Sequence, residues 1–316
     1  MRKRLTPGLW CVLTGLGAAP GLAATGSHLP PPDESQFAIA TRLDRAGRIV
    51  VPVYIDEHGP YRFLLDTGAT HSAVSDRLVE ELHLTTDSGP ALVVHGVTGL
   101  VSTQACSFET LRFGSISFAR PRLPVLGGLV LEGLDGILGM DHLANKRITA
   151  DFIHDRVTVS ESRGQHAGLH DLVLAARTVS GLLLVVDGHA DKSVVTAVID
   201  TGASHTLGNL ALYAALTRRS QDLGASPTAD VIDATQTIEI GNVRIVSPIE
   251  LGPIRVTDTA VTFGDFQVFS FWGLQDRPAL LLGMDVLGTL KELTIDYRRH
   301  EVLFRTQGIT ELISTF

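Results

Sequence analysis

One nine-residue phrase occurs twice in this chain, as LLDTGATHS at 64–72 and as VIDTGASHT at 198–206. Each copy is an apolar approach running into D-T-G-A. A chain that spells the same turn twice, 134 residues apart, is built from two lobes of one design. Apolar strands that end on Asp66 and Asp200 place two carboxylates on equivalent tight turns. Across a pseudo-two-fold axis those groups can face each other, share one proton and activate a water.

The flanking sequence repeats in the same order. In the first half FAIATRL, RIVVPVYID and YRFLLD read as alternating strands that lead to the first Asp, and HSAVSDRLVEELHL then changes to helical spacing with Ser75 as N-cap and Leu78, Val79 and Leu82 on one face. In the second half DLVLAARTV, LLLVVDGHA and VVTAVID lead to the second Asp, and 207–216 is again helical in spacing. A later pair of landmarks, DGILGMDHL at 135–143 and PALLLGMDVL at 278–287, gives each lobe two apolar residues before a glycine. From Asp66 to Gly139 is 73 residues and from Asp200 to Gly283 is 83, so the second lobe carries about ten more. Strands at 148–160 and 293–305 close the lobes. With 31 Gly and 14 Pro punctuating short Val, Ile and Leu runs, the expected class is all-β with a few short helices. The lobes are expected at 36–160 and 170–306, joined by a polar linker at 161–169 and followed by a tail at 307–316.

Residues 1–24 pair a basic start, MRKR, with an apolar run to Ala19, Pro20 and small residues, the pattern of a cleaved secretory signal peptide. Residues 25–35 follow as a Pro-rich tether. The expected location is periplasmic or secreted, with no membrane span after cleavage. Loss of Arg2, Lys3 and Arg4 takes the formal charge from −8 to −11, an acidic balance that argues against nucleic acid as a partner. Cleavage also removes Cys11 and leaves Cys106 alone, read as a buried small thiol rather than half of a disulfide.

A single D-T-G is ordinary turn composition, but two copies, each followed at matching distance by an apolar-apolar-Gly element, are specific. On these residues the chain resembles the aspartic peptidases of pepsin and retropepsin type over about residues 37–306. The D-T-G-A form is similar to retropepsins, and two lobes in one chain are similar to pepsins. The chain is similar to bacterial exported proteins with tandem retropepsin-like lobes. The resemblance implies the acid-protease fold: two closed β-barrel-like lobes with the active-site cleft between them. It implies an endopeptidase that hydrolyses peptide or protein substrates with Asp66 and Asp200 as the catalytic dyad, with no metal and no cofactor. Thr67 and Thr201 would interlock beneath the dyad, Gly68 and Gly202 would hold the loops, and Ala69 and Ala203 would stand where pepsins carry a hydroxyl. Without that donor the carboxylates are less favoured, and activity is expected at less acidic pH than pepsin's. Ile137, Leu138 and Gly139, with Leu281, Leu282 and Gly283, would pack behind the Asp loops. Because both carboxylates come from one chain, a monomer suffices.

Such peptidases close a β-hairpin flap over substrate. The stretch 91–105 fits, with His95, Gly96, Val97, Thr98 and Gly99 at its tip, whereas 231–241 lacks a glycine-rich tip and is expected to be the poorer flap. His71 and His205, each five residues after its Asp, are explained by the repeat rather than by a metal. Phe263, Phe266, Phe269, Phe271 and Trp272, in the longer second lobe, read as core or lobe-interface packing before substrate cleft. The rival reading of the whole chain is a non-catalytic periplasmic peptide-binding or scaffolding protein that uses the same cleft.

Overall fold

A computed structural model describes residues 37–313 apart from 45, 129–130, 132, 144–145, 163–167, 169–170, 180–182, 219–226 and 307–310. The expected signal peptide and tether, and most of the inter-lobe linker, lie outside the described residues. Strands dominate, and among the described residues no helix is long and apolar enough to cross a membrane.

Each lobe places its Asp by the same strand arrangement. In the first, Ile49–Ile55 pairs antiparallel with His58–Leu65, and Gly136–Leu138 lies parallel to the latter, with Leu138 opposite Leu65. In the second, Leu183–Ala190 pairs with Ser193–Ile199, and Ala279–Leu282 lies parallel to that strand, with Leu282 opposite Ile199. The apolar pair before each landmark glycine is therefore a buried strand alongside the strand that delivers the Asp. Buried on both faces, such strands read as continuous apolar runs, which is how the sequence spells them.

A third sheet draws on both halves. Its two central strands, Lys146–Asp151 and Glu292–Asp296, pair antiparallel with Thr149 opposite Thr294, whose hydroxyls lie 2.9 Å apart. Outward from these lie Arg156–Glu161 and Phe37–Ala40 on one side, Glu301–Arg305 and Leu172–Ala175 on the other. The strands that close the lobes thus fasten them together, and buried residues of both lobes form one continuous core, Phe63 and Leu65 with Leu280 and Leu282 among them.

Some elements differ from the sequence reading. Helix Asp76–Glu81 is capped by Ser75, whose hydroxyl accepts the Leu78 N–H, but the residues before it form the strand Ala73–Ser75. The second helical stretch likewise begins as a strand, Leu207–Asn209, and only then becomes helix Leu210–Thr217 with Asn209 as cap. In both cases three residues with apolar neighbours are drawn into a buried sheet, and pairing overrides the helical spacing. Within the expected tail, Glu311–Ile313 adds a strand parallel to Ile254–Thr257. Cys106 is buried without a disulfide, and burial pushes its thiol up to about 11.

Candidate active site

The two Asp loops are bonded copy for copy. The Asp66 N–H donates to Leu138 O and the Asp200 N–H to Leu282 O, each at 3.1 Å. The Met140 N–H donates to Ala69 O at 2.9 Å and the Met284 N–H to Ala203 O at 2.8 Å. Within each turn one carboxylate oxygen accepts two backbone N–H groups, from Gly68 and Ala69 at 2.9 Å for Asp66, and from Gly202 and Ala203 at 2.8 and 3.2 Å for Asp200. Those amides orient each carboxylate toward the other lobe, where the Asp200 carboxyl lies against Gly68 and the Asp66 carboxyl against Gly202. Glycine is required at this approach. A Cβ on Gly68 would stand 2.5 Å from Asp200 Oδ2, and one on Gly202 would run into the Asp66 carboxyl.

Beneath the pair the threonines cross. Thr67 Oγ1 donates to Ile199 O at 2.8 Å and accepts the Thr201 N–H at 3.0 Å; Thr201 Oγ1 donates to Leu65 O at 2.7 Å and accepts the Thr67 N–H at 3.2 Å. Four bonds, each from one lobe to the other, satisfy buried backbone groups at the point where the Asp strands end. They tie the ends of the two Asp strands to one another. Farther back, the buried Tyr297 phenol donates to the Met140 sulfur.

Burial raises the pKa of both carboxyls, and it raises Asp200 well above the usual carboxylate range, with the charge of Asp66 as the next cause. Asp66 is raised against the Gly68 and Ala69 amides and the charge of Arg48, which favour its ionised form. A pair in this state holds one proton between two groups.

The landmark glycines sit where the sequence put them: a Cβ on Gly139 would strike the backbone of His71, and one on Gly283 the backbone of His205. What the sequence reading left without a role is the Asp that follows each landmark. Asp141 accepts both the N–H and the hydroxyl of Ser72, the latter at 2.8 Å, and Ser72 Oγ in turn accepts the Gly139 N–H at 3.0 Å. Asp285, Thr206 and Gly283 repeat this at 2.8 and 3.2 Å. A second pair of carboxylates therefore braces the far end of each Asp loop against its landmark strand. The signal was present as a hydroxyl six residues after each catalytic-candidate Asp and a Met-Asp after each landmark glycine.

Asp66 and Asp200 open onto one cavity of about 830 Å³ that both lobes line. Above it stand two hairpins. The first, Leu92–His95 and Leu100–Thr103, turns through a Gly96 N–H to Gly99 O bond of 2.8 Å. The second, Thr228–Ile232 with Ile238–Val246, turns through Asp233–Thr237. The two tips meet. The Thr98 N–H donates to Asp233 Oδ2 and the Thr98 hydroxyl to Thr237 O, both at 2.8 Å. Asp233 needs no glycine beside it because its own side chain folds the turn, accepting the Thr235 N–H at 2.8 Å. Of the expected flap residues, His95, Gly96 and Val97 line the cavity, while Thr98 and Gly99 are at the junction of the tips. The Val97 carbonyl also accepts the Val268 N–H at 3.1 Å, and His95 stacks on Phe271 with ring centroids 4.1 Å apart. Of the aromatic group, Phe263, Phe266 and Phe269 are buried, Trp272 is buried beside the cavity, and Phe271 is part-exposed at its edge.

Among the described residues no group of three or more His, Cys, Asp or Glu is placed to hold a metal ion. A family profile described as aspartyl protease matches residues 51–142 and 184–286, more than half of the chain and one Asp loop in each segment. No curated protein matches it.

Proposed function

The chain belongs to the aspartyl protease family, and from that premise we propose that it is an exported endopeptidase, periplasmic or secreted, whose tandem retropepsin-like lobes, each a closed barrel, supply Asp66 and Asp200 as the catalytic pair. The observation that carries this reading is the crossing of the two Asp loops, which sets each carboxyl against the glycine of the other loop and opens both onto one cavity.

In the proposed reaction a peptide lies in the cavity beneath the hairpins. Ionised Asp66 takes a proton from a water held between the carboxyls as the water oxygen attacks the scissile carbonyl carbon. Asp200, protonated through burial, gives its proton to the carbonyl oxygen. The tetrahedral diol then collapses: the amide nitrogen takes the proton from Asp66, the C–N bond breaks, and a diol hydroxyl returns its proton to Asp200. The pair ends as it began, with one proton. No acyl-enzyme forms, and a monomer holds both groups. The two-tip roof supports this chemistry by excluding bulk water from a site whose electrostatics depend on low dielectric.

The test is hydrolysis of an unstructured protein between about pH 3 and 8 by wild type, Asp66→Asn and Asp200→Asn, with and without a pepstatin-type inhibitor. Cleavage that is lost in both variants and blocked by the inhibitor is the expected result. Equal behaviour of all three proteins would leave the chain as a peptide-binding or scaffolding protein.

A further inference from the structure

The sequence singles out His71 and His205 by their symmetry, and the candidate dyad does not use them. Each follows its Asp by five residues and precedes the Ser72 or Thr206 that is held by Asp141 or Asp285. Both side chains are exposed and border the cavity, one on each lobe and so on opposite sides of the carboxyl pair. Each has a buttressing carboxylate beside it. His71 Nδ1 is 3.7 Å from Asp141 Oδ2, an ion-pair distance rather than a hydrogen bond, and His205 directly precedes Thr206, whose N–H and hydroxyl are held by Asp285. At His71 the Asp141 carboxylate favours the cation.

Most other charges at the cavity are engaged in the fold. Asp141 accepts from Ser72, and Asp233 is held by Thr98 and Thr235. Asp230 is exposed where its strand borders the cavity and sets a negative charge there, and His95 is stacked on Phe271. Arg122 is paired with Asp87 and Arg48 with Asp44. We infer that His71 and His205 are specificity-determining residues that select acidic side chains in the peptide, one on each side of the bond to be cut. The inference rests on the peptidase reading for the word "cut", but the selection itself is a property of binding.

The experiment is therefore made on binding and on cleavage separately. A set of peptides carries either Glu or its neutral isostere Gln at each of three positions on either side of a central apolar pair. Affinities are measured at about pH 5.5, below the ordinary imidazole value and above that of glutamate, with full-length Asp66→Asn protein, alone and combined with His71→Gln or His205→Gln. At one position on each side the Glu peptide is expected to bind about tenfold more tightly than the Gln peptide, as one charge-assisted hydrogen bond provides. His71→Gln should abolish the preference on one side only and His205→Gln on the other. Equal affinities for Glu and Gln peptides, or a preference that survives both substitutions, would overturn the inference. Cleavage of the same peptides by wild type is scored independently. Selective binding without cleavage sinks the peptidase reading and leaves the histidines' role standing, while cleavage without selectivity does the reverse.

Discussion

The two lobes agree almost atom for atom at the Asp loops and part company at the hairpins above them. Below the cavity, every bond made by Asp66, Thr67, Ser72 and Gly139 has its counterpart at Asp200, Thr201, Thr206 and Gly283. Above it, a glycine-bearing tip faces a tip built on Asp233. The difference follows from what each region contacts. The Asp loops cross so that each hydroxyl reaches a backbone group of the other lobe, an arrangement that two identical loops can satisfy together. The hairpin tips meet end to end near the same axis, where identical tips would set like groups against like. A tip offering N–H and O–H against one offering a carboxylate and a carbonyl resolves that conflict, and duplication with divergence allows it where a symmetric dimer would not.

The sharpest break between the two halves should come at the carboxyls. Asp66→Asn and Asp200→Asn are each expected to lower kcat/KM on an unstructured substrate by about a thousandfold, the loss expected of a positioned acid/base group. In stability they should differ. Asp200 is held above its unfolded value, so the folded state binds the extra proton and wild-type stability falls as pH rises from about 4, the unfolded carboxyl value, until the folded pKa is passed. Asparagine removes that penalty. Thermal melts should show Asp200→Asn gaining on wild type as pH rises from 4 and then levelling, with Asp66→Asn gaining less. Equal gains would mean that the two sites are electrostatically alike.

The threonines are the control for symmetry. Thr67→Ala leaves the Thr201 N–H and Ile199 carbonyl unpaired, and Thr201→Ala does the same to Thr67 and Leu65. Each should cost about 1–3 kcal/mol in denaturant unfolding, and the two costs should agree closely. A wide gap would show that one lobe leans on the other.

A smaller effect belongs to the diverged tips. Asp233→Ala removes the acceptor for the Thr98 N–H and the folding device of its own turn. The cost should be about 1 kcal/mol, confined to the hairpins. Amide exchange at residues 96–99 should accelerate roughly fivefold while the Asp-loop amides stay protected. Unchanged exchange at the tips would mean that Val97, through its bond to Val268, holds the roof by itself.

How much of this the sequence carries depends on how local each feature is. Asp66 and Asp200 were legible because an apolar strand and D-T-G-A are contiguous, and the landmark glycines because they recur at nearly equal distance. The roles of Asp141 and Asp285 were not, since their partners Ser72 and Thr206 stand 69 and 79 residues away and only strand pairing brings them together. Leu207–Asn209 looked helical because three residues cannot display a period, and their inclusion in a buried sheet is a tertiary matter. The meeting of the hairpin tips was not legible either, because Asp233 makes both its own turn and the contact to Thr98, 135 residues away, with its side chain.

The finest test of the lobes' equivalence is at Ala69 and Ala203, whose N–H groups bind Asp66 at 2.9 Å and Asp200 at 3.2 Å. A serine at either position adds a hydroxyl that can donate to the adjacent carboxylate, and donation favours the ionised form. In a pair sharing one proton, activity rises with pH as the first carboxyl ionises and falls as the second does. Ala69→Ser acts on Asp66, the group that ionises first, and should move the acid limb of kcat/KM down by about half a unit to one unit while the alkaline limb stays in place. Ala203→Ser acts on Asp200, the proton carrier, and should move the alkaline limb down instead. If the two variants shift the same limb, the proton is not lodged on one carboxyl in preference to the other, and the two halves of the pair are as equivalent in charge as they are in sequence.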